Sequence, residues 1–209
     1  SLVLHGVRLD EAGEYRLEAM LLTSLQRGRP LAVEILDLAA RVRVRQPVGD
    51  VFSWGLNAYQ QTNVPNSVTQ AVAVAAGLSH SAVIRADGTV AVWGSGEQGQ
   101  TNVPSSATNL ISLVAGAVQT FGLRENGTVI GWGTNEFSQL DIPDSLTNVT
   151  AIAAGYFHAV ALRADGTVAC WGDNALGQCE VPEGLGTVVA VAAGVFHTVA
   201  LTADGRIHC

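Results

Sequence analysis

The feature that most limits what this chain can become is its internal period. Trp-Gly occurs at Trp54, Trp93, Trp132 and Trp171, always 39 residues apart. The same step carries Gln61, Gln100, Gln139 and Gln178, then Pro65, Pro104, Pro143 and Pro182. It also carries Gly77, Gly116, Gly155 and Gly194, and Gly88, Gly127, Gly166 and Gly205. No insertion or deletion breaks the step between Trp54 and Cys209. A fixed period of this length means one supersecondary unit that cannot bury its own apolar face and stacks on its neighbours to do so.

Each unit is written in strand language. "AVAVAAG" from Ala71, "HSAVIR" from His80 and "TVAVWG" from Thr89 are short runs rich in β-branched and apolar residues. Asp-Gly between the second and third runs predicts a type I′ hairpin turn. "QTNVP" supplies a short fourth segment, which its Pro confines to a sheet edge. No unit holds a 3.6-residue apolar spacing long enough for a helix, which argues against a helical solenoid. Four short strands in about 40 residues predict an all-β chain of β-propeller blades. The propeller region spans 49–209, with units 54–92, 93–131, 132–170 and 171–209. Third-strand wording stands at both ends of it, at Val51–Ser53 and Arg206–Cys209. The expectation is therefore three full blades between two partial ones, forming an open arc or part of a larger ring.

The consensus AAGxxHxxALxxDGTVxxWGxNxxGQxxVP resembles the bacterial short form of the regulator of chromosome condensation repeat. It is also similar to the blades of the propeller-type β-lactamase inhibitory protein. The resemblance covers about three quarters of the chain. It implies a propeller and, from the inhibitory protein, a rim whose aromatic residues contact another protein. Eukaryotic relatives imply guanine-nucleotide exchange on a small GTPase, but the units here are shorter and hold no inserted wedge loop. One fold hosts many functions, so the resemblance is far more specific for architecture than for activity.

Residues 1–48 lie outside the repeat. "LVLHGVRL", "DEAGEYRLEAML" and "ARVRVRQP" have strand character, while "PLAVEILDLAA" could be strand or a turn or two of helix. "DEAGEY" resembles the tyrosine corner of immunoglobulin-like domains, with Tyr15 as the corner residue. Leu17 stands where that family carries a cysteine, so no inter-sheet disulfide can form there. The expectation is the C-terminal part of an immunoglobulin-like β domain. Such modules in front of propellers imply a large bacterial secreted or cell-surface protein.

Charge narrows the partners. The chain has 11 arginines and no lysine, and from residue 49 onward four arginines face twelve acidic residues. Nucleic-acid footprints are basic stripes, so no nucleic-acid partner is expected. No apolar run reaches 18 residues, so no membrane span is expected. Cys170 and Cys209 share a column in adjacent units, where sheet packing at about 10 Å keeps them too far apart to pair. Cys170 and Cys179 flank one hairpin loop; a disulfide there and free thiols both stand open.

Residues repeated in every unit serve the fold. His80, His158 and His197 share a column with Gln119. Zinc needs donors at about 2.0–2.1 Å, and blades about 10 Å apart do not bring column mates together, so these side chains are expected to bond backbone at the start of each second strand. Arg85, Arg124 and Arg163 are expected to cap the hairpin through Asp or backbone carbonyls. Asp87, Asp165 and Asp204, with Asn126 in the same column, are turn residues. No P-loop, zinc signature, nucleophile elbow or EF-hand loop occurs, so neither cofactor, metal nor catalysis is expected.

Function should then sit where the units differ. Neighbouring strands run antiparallel, so the loops after the first and third strands open on one rim. Their variable positions place Tyr59, Phe137, Tyr156, Phe157 and Phe196 there, with Glu97, Glu136 and Asp173 among them. Large aromatics in rim loops are the material of protein-binding hot spots. Equally, they could plug gaps between blades, as Trp54, Trp93, Trp132 and Trp171 are expected to do. The expected function is a non-catalytic, protein-binding propeller module. The alternative is a glycan or cell-wall adhesion module, with β-lactamase inhibition and nucleotide exchange behind it.

Overall fold

The computed structural model describes residues 48–209 throughout and, before them, the backbone of four strands. The chain divides into two compact units, Ser1–Pro47 and Val48–Cys209. In the first unit β1 (Val7–Leu9) pairs antiparallel with β2 (Tyr15–Leu17), and β3 (Ala32–Ile35) pairs antiparallel with β4 (Val42–Arg45). The tyrosine-corner loop expected over residues 10–14, on which the immunoglobulin-like reading stands, lies outside the described residues.

The second unit is four sheets of three antiparallel strands: β5–β7 (Ala71–Ala76, His80–Arg85, Val90–Gly94), β8–β10 (Leu110–Ala115, Gln119–Arg124, Val129–Gly133), β11–β13 (Val149–Ala154, His158–Arg163, Val168–Gly172) and β14–β16 (Val188–Ala193, Thr198–Thr202, Ile207–His208). No helix occurs among the described residues of this all-β chain. The second strand of each sheet lies in the middle and is the most buried, because both its edges are paired. Each first strand carries a bulge near its start, at Ala71/Ala73, Leu110/Ser112, Val149/Ala151 and Val188/Ala190.

Successive sheets bury their faces against one another. Ala82 and Ile84 of β6 meet Leu110 and Leu113 of β8 and Trp132 of β10, with Val103 and Ala107 of the linker between. One blade on, Phe121 and Leu123 of β9 meet Val149, Ala159, Ala161 and Trp171, with Leu140 and Leu146 of the linker in the wedge. Phe121 and Trp171 touch edge to face, their ring centres 5.7 Å apart. Burying each such side chain contributes roughly 1.5–3 kcal/mol, which is why the column positions tolerate so little change.

Four expectations require correction. The fourth segment is not a strand: "QTNVP" and its copies fold into consecutive turns. Their amides are consumed locally, Thr62 N–H by Asn57 Oδ1 and Asn63 N–H by Gln60 O, which leaves no ladder to extend. The hairpin turns are not type I′. Gly88 N–H bonds Arg85 O while Arg85 N–H bonds Thr89 O, and only the glycine has positive φ, at 81°. This is a three-residue loop, a type I turn closed by a left-handed glycine. Val51–Ser53 is likewise no strand: Gly49 just before it makes an isolated bridge with Ala71, and Val51 packs against the cluster of Val68, Ala71, Val83 and Trp93. Trp54, expected to plug a gap between blades, is 85% exposed, unlike Trp93, Trp132 and Trp171, which are buried. The pairing left open between Cys170 and Cys179 is a disulfide, Cα atoms 5.1 Å apart, while Cys209 is free and exposed.

Candidate functional site

The two rims can be followed residue by residue. At one, the Asp-Gly turns meet the starts of the first strands, as Ala86 N–H bonding Gln70 O shows. At the other, the loops after the first and third strands converge: Ser95 N–H bonds Ser79 O, and Asp173 N–H bonds Phe157 O.

Three repeated columns build the underside of this loop rim. The first is Gln. Its side-chain oxygen accepts the amide two residues earlier, from Tyr59, Gln98, Phe137 and Leu176 in turn. Its backbone oxygen accepts the indole N–H of the tryptophan in the sheet that follows, in Gln61–Trp93, Gln100–Trp132 and Gln139–Trp171. One buried side chain thus sets the loop that presents the variable residue. The sequence marked this column only as a repeat.

The second column is His/Gln, and its role differs from the expectation. His80 Nε2 pairs with Thr120 Oγ1 at 2.8 Å and His158 Nε2 with Thr198 Oγ1 at 3.1 Å, each across to the next blade and to a side chain. Gln119 keeps the cross-blade direction but does bond backbone, at Gly155 O and Tyr156 O. The 10 Å spacing of sheet centres does not apply here. Blades converge at their inner edges, and the first-strand loops bond one another directly through Leu78 N–H to Gly116 O, Ala117 N–H to Tyr156 O and Tyr156 N–H to Val195 O. Burial lowers the His80 pKa to about 4 and is also the main cause that lowers that of His158, so both rings are neutral near pH 7.

The third column is the glycine of the first-strand loop. A Cβ on Gly155 would overlap the His158 ring and the Gly194 carbonyl of the next blade. Close approach of backbone to backbone requires the glycine there.

Above this repeated underside stand the variable residues, and the structure gathers only some of them. Phe137 and Phe157 stack with centres 4.4 Å apart and an interplanar angle of 23°. Tyr156 meets Phe157 edge to face at 4.5 Å, and Tyr156 meets Phe196 at 5.8 Å. Four rings from three loops form one continuous string across two blades. Phe137 and Phe196 are 43% and 50% exposed, and Tyr156 and Phe157 are half-buried. None of the four belongs to a core cluster between sheets. Glu136 precedes Phe137 and is exposed; Asp173 begins the loop after β13 and is half-buried, its Oδ1 accepting Ala175 N–H. Tyr59 and Glu97 are exposed in the loops of the first two linkers, and no ring contact joins Tyr59 to the string among the described residues.

At the turn rim the arginines are absorbed by structure. Arg85, Arg124 and Arg163 each donate to the Thr on the far side of the turn, Thr89, Thr128 and Thr167, and only Arg124 also reaches a carbonyl, that of Ser106. The same Thr donates to the turn residue, Asp87, Asn126 or Asp165. The expected direct Arg–Asp cap is therefore relayed through a hydroxyl. Hydrogen bonds from Thr89 and Thr167 hold the Asp87 and Asp165 pKa values below the usual carboxylate range.

The regulator of chromosome condensation (RCC1) repeat model matches residues 71–100, 149–178 and 188–209. These are RCC1-like propeller blades. The unit it passes over, around β8–β10, is the one whose wording departs furthest from the consensus. Solved structures agree in fold. Prp20p from Saccharomyces cerevisiae superposes with TM-score 0.60 at 19% identity, over 69% of this chain and 45% of that one. Human WBSCR16 does so with TM-score 0.61 at 24% identity, over 79% of this chain and 58% of that one. The ectodomain of the receptor kinase CR4 from Physcomitrella patens gives TM-score 0.54 at 20% identity, over 63% and 38%. The chain thus spans about half the length of these structures. No curated protein sequence matches it significantly.

Proposed function

We propose that this chain is a non-catalytic module that binds another protein through its loop rim. The observation that carries this reading is the string Phe137–Phe157–Tyr156–Phe196. It is apolar, contiguous and partly exposed, and it lies where the repeated units diverge. Aromatic anchors held on a rigid frame are what interface hot spots are made of, and here the Gln and Gly columns supply the frame. Phe137 is 43% exposed, whereas the filler between blades is buried. Prp20p, of the same fold, is described for its binding to Gsp1p and histones, both proteins. A secreted or cell-surface setting is part of the proposal, supported by the Cys170–Cys179 disulfide, since such bonds persist in oxidising compartments.

The test is comparative capture. The wild-type chain and a Tyr156→Ala, Phe157→Ala double variant are immobilised side by side, with far-UV circular dichroism and melting recorded for each. Proteins retained by the first and lost from the second, with folding unchanged, support the reading. Equal capture by both overturns it. Loss of folding in the variant assigns the two rings to the core. Binding on a glycan array that requires the same rings, with no protein retained, moves the module to adhesion.

A further inference from the structure

The charges of the propeller unit are not spread evenly over its two rims. All four of its arginines lie at the turn rim: Arg85, Arg124 and Arg163 end the second strands, and Arg206 lies in the last turn. Three are bound to threonine hydroxyls, and Arg206 is paired with Asp204 at 3.4 Å. The loop rim has no arginine and no lysine. It has Glu97, Glu136 and Asp173 in the third-strand loops. Asp141 is tied back to the same loops by Asn135 Nδ2 at 2.7 Å, and Glu180 follows in the next loop. Four of these acids, Glu136, Asp141, Asp173 and Glu180, belong to the loops around the aromatic string. A cavity of about 240 Å³ opens beside Phe196, with Leu176, Gln178 and Glu180 in its wall.

We infer that the aromatic string with its flanking carboxylates docks an arginine-bearing segment of a protein partner. This rests on the reading of the loop rim as a protein-binding face and names the chemistry of what it binds. Aromatic faces attract cations placed within about 6 Å of the ring centre, and arginine more often than lysine because the planar guanidinium also stacks. Carboxylates beside the rings then accept the guanidinium hydrogen bonds, bidentate where geometry allows. The rim holds no cation of its own that would satisfy these carboxylates internally or repel an incoming arginine. With four arginines against twelve acidic residues in the propeller region, the wider field draws a basic segment inward. A purely hydrophobic partner would desolvate the exposed Glu136 carboxylate and leave Asp173 with only the Ala175 amide to hold its charge, which disfavours it.

The probe is a synthetic Arg-Gly repeat peptide, set against equal-length peptides in which lysine or neutral citrulline replaces arginine. Affinity is measured by isothermal titration calorimetry at low and at physiological salt. The expected order is arginine over lysine, with citrulline unbound. Phe137→Leu and Phe157→Leu together should weaken the arginine peptide about tenfold and narrow its advantage over lysine. Glu136→Gln with Asp173→Asn should weaken both cationic peptides and flatten the salt dependence. Glu125→Gln with Asp87→Asn, the matching loss of charge at the turn rim, should change affinity less than about twofold, because charges more than a Debye length away are screened.

Equal weakening from either rim, or no preference for arginine, overturns the proposal and leaves only a diffuse acidic field. No binding of any peptide also overturns it. In that case a partner captured through Tyr156 and Phe157 still stands, so the wider reading survives on its own test. Glycan binding through the same phenylalanines with no response to the arginine peptide removes both.

Discussion

The two rims of one stack of blades are built from the same four copies, and they have gone different ways. At the turn rim three of the four hairpins end alike, Arg donating to Thr and Thr donating to Asp or Asn; in the fourth Thr202 donates to Asp204 directly, and a left-handed glycine closes all four loops. At the loop rim the equivalent positions hold Tyr59, Gln98, Phe137 and Leu176, or Leu78-Ser79, Ala117-Val118, Tyr156-Phe157 and Val195-Phe196. The difference teaches where constraint lies. A turn that closes a hairpin has its own backbone geometry to satisfy, so it repeats. A loop whose backbone is already pinned from beneath by a buried glutamine can carry any side chain on top. The loop rim is thus two layers, a repeated underside and a free surface, and its free surface is where selection for binding can act without cost to the blade.

The largest effect should come from the repeated aromatic beneath that surface. Trp171 is buried, meets Phe121 edge to face and donates its indole N–H to Gln139 O. Trp171→Ala removes the ring, opens a cavity between blades and leaves that carbonyl short of a partner. We expect a loss of about 3–5 kcal/mol, measured by urea denaturation. Trp54→Ala serves as the control: its ring is 85% exposed, and the same substitution should cost under about 0.5 kcal/mol. Similar losses at the two positions would mean that Trp54 is socketed after all.

Acid should separate the layers next. His80 titrates at about 4 when folded, against 6.5 when free, because burial disfavours the imidazolium. The unfolded chain therefore binds the proton first. The stability this neutral ring confers is complete above pH 6.5, falls as pH drops through the window from 6.5 to 4, and is gone below it. The gap sets an upper figure of about 3 kcal/mol. His158 is shifted in the same direction by burial and adds to the fall. The turn-rim carboxylates Asp87, Asp165 and Asp204 are lowered from 3.8 by their Thr and backbone hydrogen bonds, so their loss begins only below that range. Melting temperature should decline between pH 6.5 and 4.5, and His80→Gln, the residue the second copy already uses at Gln119, should flatten that decline. A decline of unchanged slope in His80→Gln would place the acid-sensitive group elsewhere.

What the sequence disclosed follows the same division. The period, the three-strand order, the direction of the rims and the burial of three tryptophans were all legible, because each is a property of one unit repeated. Properties that depend on two units meeting were not. His80 reaches a threonine 40 positions away, and the first-strand loops bond each other at the inner edge, where sheets are closer than their mean spacing. Gln61 and its copies showed as a column, yet nothing in the column said that one side chain fixes a loop while its carbonyl holds an indole. Trp54 misled because its wording is that of a third strand while its surroundings are not. The segment "QTNVP" misled because β-branched wording beside proline fits either an edge strand or a run of turns, and the Asn side chains decide for turns. Of the eight candidate rim residues, the four rings from three loops meet, whereas Tyr59 and Glu97 belong to loops two units and one unit away.

The smallest effects should show the rims' difference most cleanly, because packing scarcely enters. Gly88 has φ of 81°, and a Cβ there would meet nothing within 4 Å, so Gly88→Ala reports backbone strain alone. A left-handed alanine costs roughly 1–2 kcal/mol, and the turn rim should lose about that much. Phe196 is half-exposed in the loop closed by Gly194 N–H to His197 O, so Phe196→Ala should change stability by no more than about 0.5 kcal/mol while removing one end of the aromatic string. Chemical denaturation of the two variants in parallel distinguishes them. If Phe196→Ala costs as much as Gly88→Ala, the ring is structural and the loop rim is no freer than the turn rim. If it costs nothing while loop-rim binding falls, stability and recognition reside in separate layers of the loop rim.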